Sequence, residues 1–167
     1  MVPDATNIIG QTYALAYDRK HERYLVATWD SSTIYAVDSK TGARNIFSSN
    51  LVGAGPEFGA IYIGDTRGAL SAIEIDETNN RALVFENRTT KLFAVDLETG
   101  NRTLISSVDG TNSENALRRD IDALKFSSPN GYALVNVNRG DLQGIMAIDL
   151  VTGKRVIFSK SAGIARN

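Results

Sequence analysis

A nine-residue pattern occurs three times in this chain, as AVDSKTGAR at Ala36 to Arg44, AVDLETGNR at Ala94 to Arg102 and AIDLVTGKR at Ala147 to Arg155. Each copy keeps Ala, a β-branched residue, Asp, Thr-Gly and Arg in register. Repetition of this kind marks a solenoid, propeller or array, in which one supersecondary unit stacks against copies of itself. The pattern suits a short hairpin of about three to five residues, with Asp accepting a backbone N–H and Gly supplying positive φ. Asp38, Asp96 and Asp149 are therefore read as turn residues rather than as groups that do chemistry.

The flanking sequence repeats as well. The first unit runs Tyr13 to Asp18, Arg23 to Trp29, Thr33 to Asp38 and Arg44 to Ser48. The second aligns on it without gaps, from Ala72 to Asp76, Arg81 to Phe85, Leu92 to Asp96 and Arg102 to Ser106. The third follows from Ala123 to Ser127, Tyr132 to Val135, Ile145 to Asp149 and Arg155 to Ser159, with two extra residues around Gly140 to Gly144 that are expected to lie in a loop. Runs of this length, rich in β-branched and aromatic residues and separated by turn residues, read as antiparallel strands in a meander. Strands two and three of each unit, such as Leu83-Val84-Phe85 and Leu92-Phe93-Ala94-Val95, are apolar at nearly every position. A half-solvated sheet alternates apolar and polar, whereas the radially stacked sheets of a β-propeller bury both faces. The expectation is an all-β chain forming a single domain over 1–167, with three four-stranded blades at about 13–48, 71–106 and 122–159. The segments 49–71 and 107–122 read as linkers, broken by Gly53-Ala54-Gly55-Pro56 and by Asp109-Gly110-Thr111-Asn112. Asn115 to Arg119 has the composition of one helical turn, and Asn7 to Gly10 that of a short strand or packing arm.

Composition removes several function classes. With 18 basic and 19 acidic residues there is no electrostatic case for nucleic acid or an anionic membrane surface. The absence of cysteine excludes disulfides, thiolate nucleophiles and Cys-bound zinc. His21 is the only histidine and sits in a polar turn, which leaves a Ser-His-Asp triad or a multi-His zinc site little support. Gly53 to Gly59 is glycine-rich but lacks the Gly-Lys-Ser/Thr ending and following helix of a phosphate loop. The sequence names no catalytic residue, no resident cofactor and no metal ligand.

The units resemble the NHL-like and gluconolactonase-like bacterial β-propellers of the six-bladed type. Ile73-Glu74-Ile75-Asp76, Asn79-Asn80-Arg81-Ala82-Leu83-Val84 and Ala94 to Arg102 carry the resemblance most fully, and it covers about residues 13 to 160. It implies that the loops joining strands two and three, with the linkers entering strand one, line the mouth of a central channel where ligands sit. At aligned positions in those loops stand Trp29-Asp30, Asn87-Arg88 and Asn138-Arg139. Guanidinium and amide donors suit a carboxylate, a sugar or a partner's segment, and Trp29 can stack on one. Glu74 and Lys125 share a register on the first strands, nearest the axis, and are expected to pair if their blades are adjacent. The primary expectation is a binding or scaffold module for a small polar or anionic ligand or a protein segment. The alternative is a lactonase-like hydrolase using a divalent cation such as calcium, for which Glu74 with Asn87 or Asn138 is the nearest ligand set the resemblance offers. The same resemblance implies a periplasmic or extracellular site of action if a signal peptide has been removed, and a cytoplasmic one otherwise.

Closed propellers usually have about four to eight blades, so three demand a partner. The linkers span 24 positions from Ser48 to Ala72 and 17 from Ser106 to Ala123. The 8 residues after Ser159 and the 14 up to Ala14 of a second copy together fall inside that range. Two chains are thus expected to close head to tail into a six-bladed homodimer. The competing expectation is that the chain is half of a longer propeller.

Overall fold

The structure is a computed structural model and describes residues 10–59, 70–87, 89–107, 124–127, 131–139 and 142–160. Three four-stranded antiparallel sheets are formed, each ordered as a simple meander. Blade 1 contains β1 (Thr12–Asp18), β2 (Arg23–Thr28), β3 (Ile34–Asp38) and β4 (Arg44–Ser48). Blade 2 contains β5 (Leu70–Asp76), β6 (Arg81–Glu86), β7 (Lys91–Asp96) and β8 (Arg102–Ser106). Blade 3 contains β9 (Leu124–Ser127), β10 (Tyr132–Arg139), β11 (Leu142–Asp149) and β12 (Arg155–Lys160). The first strands sit side by side, β1 against β5 and β5 against β9, so they are the inner strands of three radially arranged blades. The expected helical turn at Asn115 to Arg119 and the arm ending at Ile9 lie outside the described residues.

Two apolar clusters occupy the two gaps between blades. Leu25, Ala27, Ile34 and Phe47 of blade 1 meet Ile73, Ala82, Val84, Phe93, Val95 and Leu97 of blade 2. Leu83, Phe85, Leu92 and the partly buried Ile105 on the other face of blade 2 meet Ala133, Val135, Met146, Ile148 and Leu150 of blade 3. Blade 2 is therefore buried on both faces, and from Ala82 to Glu86 every residue of β6 is buried. Blades 1 and 3 are covered on one face only, which leaves Leu15, Tyr17 and Tyr24 exposed on one side and Ile145 and Phe158 on the other. The three sheets form an open arc of a β-propeller and do not close on themselves.

The backbone repeats more faithfully than the sequence. Each outer strand pair has its register shift at the same place, before Tyr35, Phe93 and Met146. Such bulges add twist to a sheet edge. The residue preceding each second strand is left-handed, although it is Glu22, Asn80 and Gly131 in turn, with φ of 50°, 51° and 64°. Ser32 and Thr90, at equivalent positions just before the third strands, match at 49° and 55°.

The two extra residues of blade 3 do not make a loop. They lengthen the ladder, because β10 and β11 continue pairing through Val137 with Gly144, Asn138 with Gln143 and Arg139 with Leu142. Backbone N–H and C=O groups prefer a partner to exposure, and the longer ladder gives these residues one.

Candidate functional site

The repeated nonapeptide forms the hairpin between strands three and four, as its residues dictate. Asp96 Oδ1 accepts from Glu98 N at 3.1 Å, Thr99 N at 2.8 Å and Thr99 Oγ1 at 2.7 Å. Asp38 does the same with Lys40 and Thr41, and Asp149 with the N–H groups of Val151 and Thr152. These donors favour the ionised carboxylate. The Thr hydroxyl, foremost, holds Asp38 and Asp96 below the ordinary carboxylate range, and the backbone N–H of Thr152 does so for Asp149. Gly42, Gly100 and Gly153 then turn the chain at φ of 70°, 71° and 71°.

The end of the motif reaches across to the preceding blade. Ser48, at the end of β4, donates through Oγ to Gly100 O at 2.8 Å, and Ser106 at the end of β8 donates to Gly153 O at 2.7 Å. Arg102 closes the same corner by donating from Nη1 to Ser48 Oγ at 3.0 Å and to Val52 O at 2.9 Å, from Nε to Pro56 O at 2.9 Å and from Nη2 to Gly53 O at 3.2 Å. Arg155 donates from Nε to Ser106 Oγ at 2.8 Å and from Nη2 to Thr90 O. Burial pulls both guanidinium groups down, Arg155 to about 10. A serine, a glycine carbonyl and an arginine thus latch each blade to the next.

The segment after β4 is an ordered strap rather than slack chain. Asn50 and Phe58 exchange hydrogen bonds of 3.0 and 2.8 Å, and Phe58 is buried edge-on to Phe93 with ring centroids 5.1 Å apart. A further clasp joins blades 1 and 2 at the turn before β2, where Lys20 Nζ meets Glu98 Oε1 at 2.6 Å and His21 Nε2 meets Glu98 Oε2 at 3.2 Å. Lys20, then His21, hold the Glu98 carboxyl down at about 2. The corresponding positions between blades 2 and 3 are Thr78, Asn79 and Val151, which cannot form that ion pair. An open cleft of about 400 Å³ lies there, lined in part by Asn79 and Val151.

The channel-mouth residues are brought together only in part. Lys125 Nζ bridges both Glu74 oxygens at 3.2 and 3.1 Å, so these two side chains of neighbouring inner strands pair as their shared register suggests. Trp29 stacks on Tyr13 at 4.7 Å between centroids, and Asp30 Oδ2 accepts the Gln11 N–H at 3.0 Å. These contacts tie the first mouth loop to the start of β1. Asn138 and Arg139 lie on the last residues of β10 rather than in a loop, and Arg88 is outside the described residues. Asn87 is 8% exposed, and its Oδ1 has no hydrogen-bond partner among the described residues. Sequence reasoning missed its neighbour Glu86, a fully buried carboxylate at the end of β6 that accepts from Thr89 Oγ1 at 2.8 Å. A carboxylate closing an apolar strand, with a hydroxyl three residues on, was the available signal.

Meandering four-stranded sheets packed face to face around their first strands define the class: these are blades of a β-propeller. No family model matches the chain, and comparison with curated proteins finds no match. Solved structures do match in fold. A chain of the nidogen/laminin complex superposes with a TM-score of 0.62 at 10% identity, over 89% of this chain and 48% of that one. The extracellular domain of a putative hybrid two-component system from B. thetaiotaomicron gives 0.55 at 13% identity, over 90% and 18%. The Swd1 β-propeller domain of Myceliophteria thermophila gives 0.53 at 15% identity, over 89% and 44%. This chain spans less than half the length of each.

Proposed function

We propose that the protein is a propeller binding or scaffold module that takes a small polar or anionic ligand, or a partner's segment, at the channel mouth, in the manner of the NHL-like propellers its units resemble. The observation that carries this reading is Asn87, a buried side chain with an oxygen that no described group satisfies. Leaving such an atom unpaired costs about 1–3 kcal/mol, a cost that a bound hydroxyl, amide or water would relieve. Asn87 sits beside Arg88 in sequence and at the position aligned with Asn138-Arg139, so hydrogen-bonding and cationic groups share one register. The hydrolase alternative asks Glu74 to hold a divalent cation. Lys125 already occupies both Glu74 oxygens, and a cation would have to displace that ammonium. Among the described residues no three acidic or histidine side chains converge as a hard cation requires.

Calorimetric titration with a panel of sugar acids, aldoses and short carboxylates tests the reading. A binder from the panel should weaken at least tenfold on Asn87→Leu and on Arg139→Ala. If Asn87→Leu raises stability and leaves every titration unchanged, Asn87 is a packing residue and the reading fails. Parallel titration with calcium and manganese tests the alternative, under which Glu74→Gln abolishes cation binding.

A further inference from the structure

We propose that a second copy of this chain covers the open faces of blades 1 and 3, closing a six-bladed ring through two further examples of the junction that each chain already builds twice. The argument rests on corresponding positions. In both internal junctions the serine ending the outer strand is buried against the next blade's glycine carbonyl, Ser48 at 0% exposure and Ser106 at 4%. Their counterpart on blade 3, Ser159, is exposed. The residue before it follows the same rule: Phe47 is 8% exposed and Ile105 packs into the second cluster, whereas Phe158 is 67% exposed. Blade 3 thus presents the donor half of a junction.

Blade 1 presents the acceptor half. The face of blade 2 that receives blade 1 is made by Ile73, Ile75, Ala82, Val84, Phe93 and Val95. Those positions in blade 1 are Leu15, Tyr17, Tyr24, Val26, Tyr35 and Val37, an apolar and aromatic surface of which Leu15 is 65% exposed. The turn from Asp38 to Gly42 keeps the geometry of the other two, so its glycine is set to receive a serine. Exposed contiguous apolar faces of this kind mark association surfaces. Two positions are more polar than inside the chain, Ser39 where Leu97 and Leu150 stand and Asn136 where Phe85 stands, as suits a junction between separate chains. Because the two faces differ, the contact is heterologous, and a two-fold ring closes when each copy supplies both halves.

The mass of the 167-residue chain by sedimentation velocity and light scattering at micromolar concentration is the first test. Twice the 18.1 kDa chain mass is expected. A monomer, or open polymers larger than a dimer, overturns the proposal. Leu15→Asp and Phe158→Asp alter side chains already exposed, so each should fold by circular dichroism yet sediment as a monomer. Mixing the two variants should restore dimers, since one of the two junctions then has both faces intact. Leu104→Asp, at an exposed apolar site on blade 2 outside either face, should leave the dimer unchanged. If only one of the two face variants dissociates, the dimer pairs like with like and the head-to-tail ring is refuted.

Discussion

Gly100→Ala gives a measurement of how closely the blades approach one another. Gly100 sits at φ +71°, where an alanine costs about 1 kcal/mol through its Cβ and carbonyl contacts. That is not the whole cost, because a Cβ at this position would lie 2.2 Å from Phe47 O of the preceding blade. The turn and the β4 end would have to part by roughly 1 Å to restore van der Waals contact, and overpacking of this kind costs about 1–3 kcal/mol. Parting them also lengthens the 2.8 Å bond from Ser48 Oγ to Gly100 O. The total is about 2–4 kcal/mol, and at about 2–4 °C per kcal/mol for a chain of this size the melting temperature should fall by roughly 5–15 °C. Gly131 supplies the control. It has φ +64° and nothing within 4 Å of an added Cβ, so Gly131→Ala should lose only the conformational part, about 1 kcal/mol. Urea and thermal unfolding of the two variants side by side read the difference. Equal losses would show that the glycine serves its own turn alone and that the blade junction does not press on it.

Other expectations follow from the same junctions. Arg102→Ala removes four hydrogen bonds; the Val52, Gly53 and Pro56 carbonyls lie in an exposed strap and regain water, so the net loss should be about 2–3 kcal/mol by urea unfolding. Phe58→Ala leaves a void between Phe93 and Arg102 and should cost about 3–5 kcal/mol, far more than expected for a linker residue. Glu98 has its pKa lowered from 4.5 to about 2, so the stability it contributes is fully present above pH 4.5 and is lost as pH falls through about 2. Glu98→Gln should therefore melt below wild type at pH 7 and converge with it near pH 2, and a constant gap down to that pH would refute the clasp. Gly131→Asn should be nearly neutral in thermal unfolding, because Asn80 already adopts the equivalent left-handed conformation in blade 2.

Much of the fold is legible in the sequence because its determinants are local. The period of the nonapeptide counts the blades, and Asp-x-x-Thr-Gly specifies its hairpin through bonds made within five residues. Continuous apolar runs in β6 and β7 announce that both faces of blade 2 are buried, and the shared register of Glu74 and Lys125 announces their ion pair. The mouth is less legible: Asn138 and Arg139 read as loop residues, yet the ladder extends to include them. Aligned positions do not reveal that backbone groups will keep pairing beyond the point where the equivalent strands of the other blades end.

What the tertiary structure alone decides is the work of the motif's last residues. Sequence identifies Gly100 as a turn glycine and leaves Arg102 as an unexplained constant. Only the twist of each blade carries the end of one outer strand to the next blade's hairpin, where Ser48, Gly100 and Arg102 meet across about 50 residues of chain. A contact of that separation has no local signature, since it depends on the angle at which whole sheets pack. The chain by itself therefore determines what its blades are, and the packing between sheets determines what joins them.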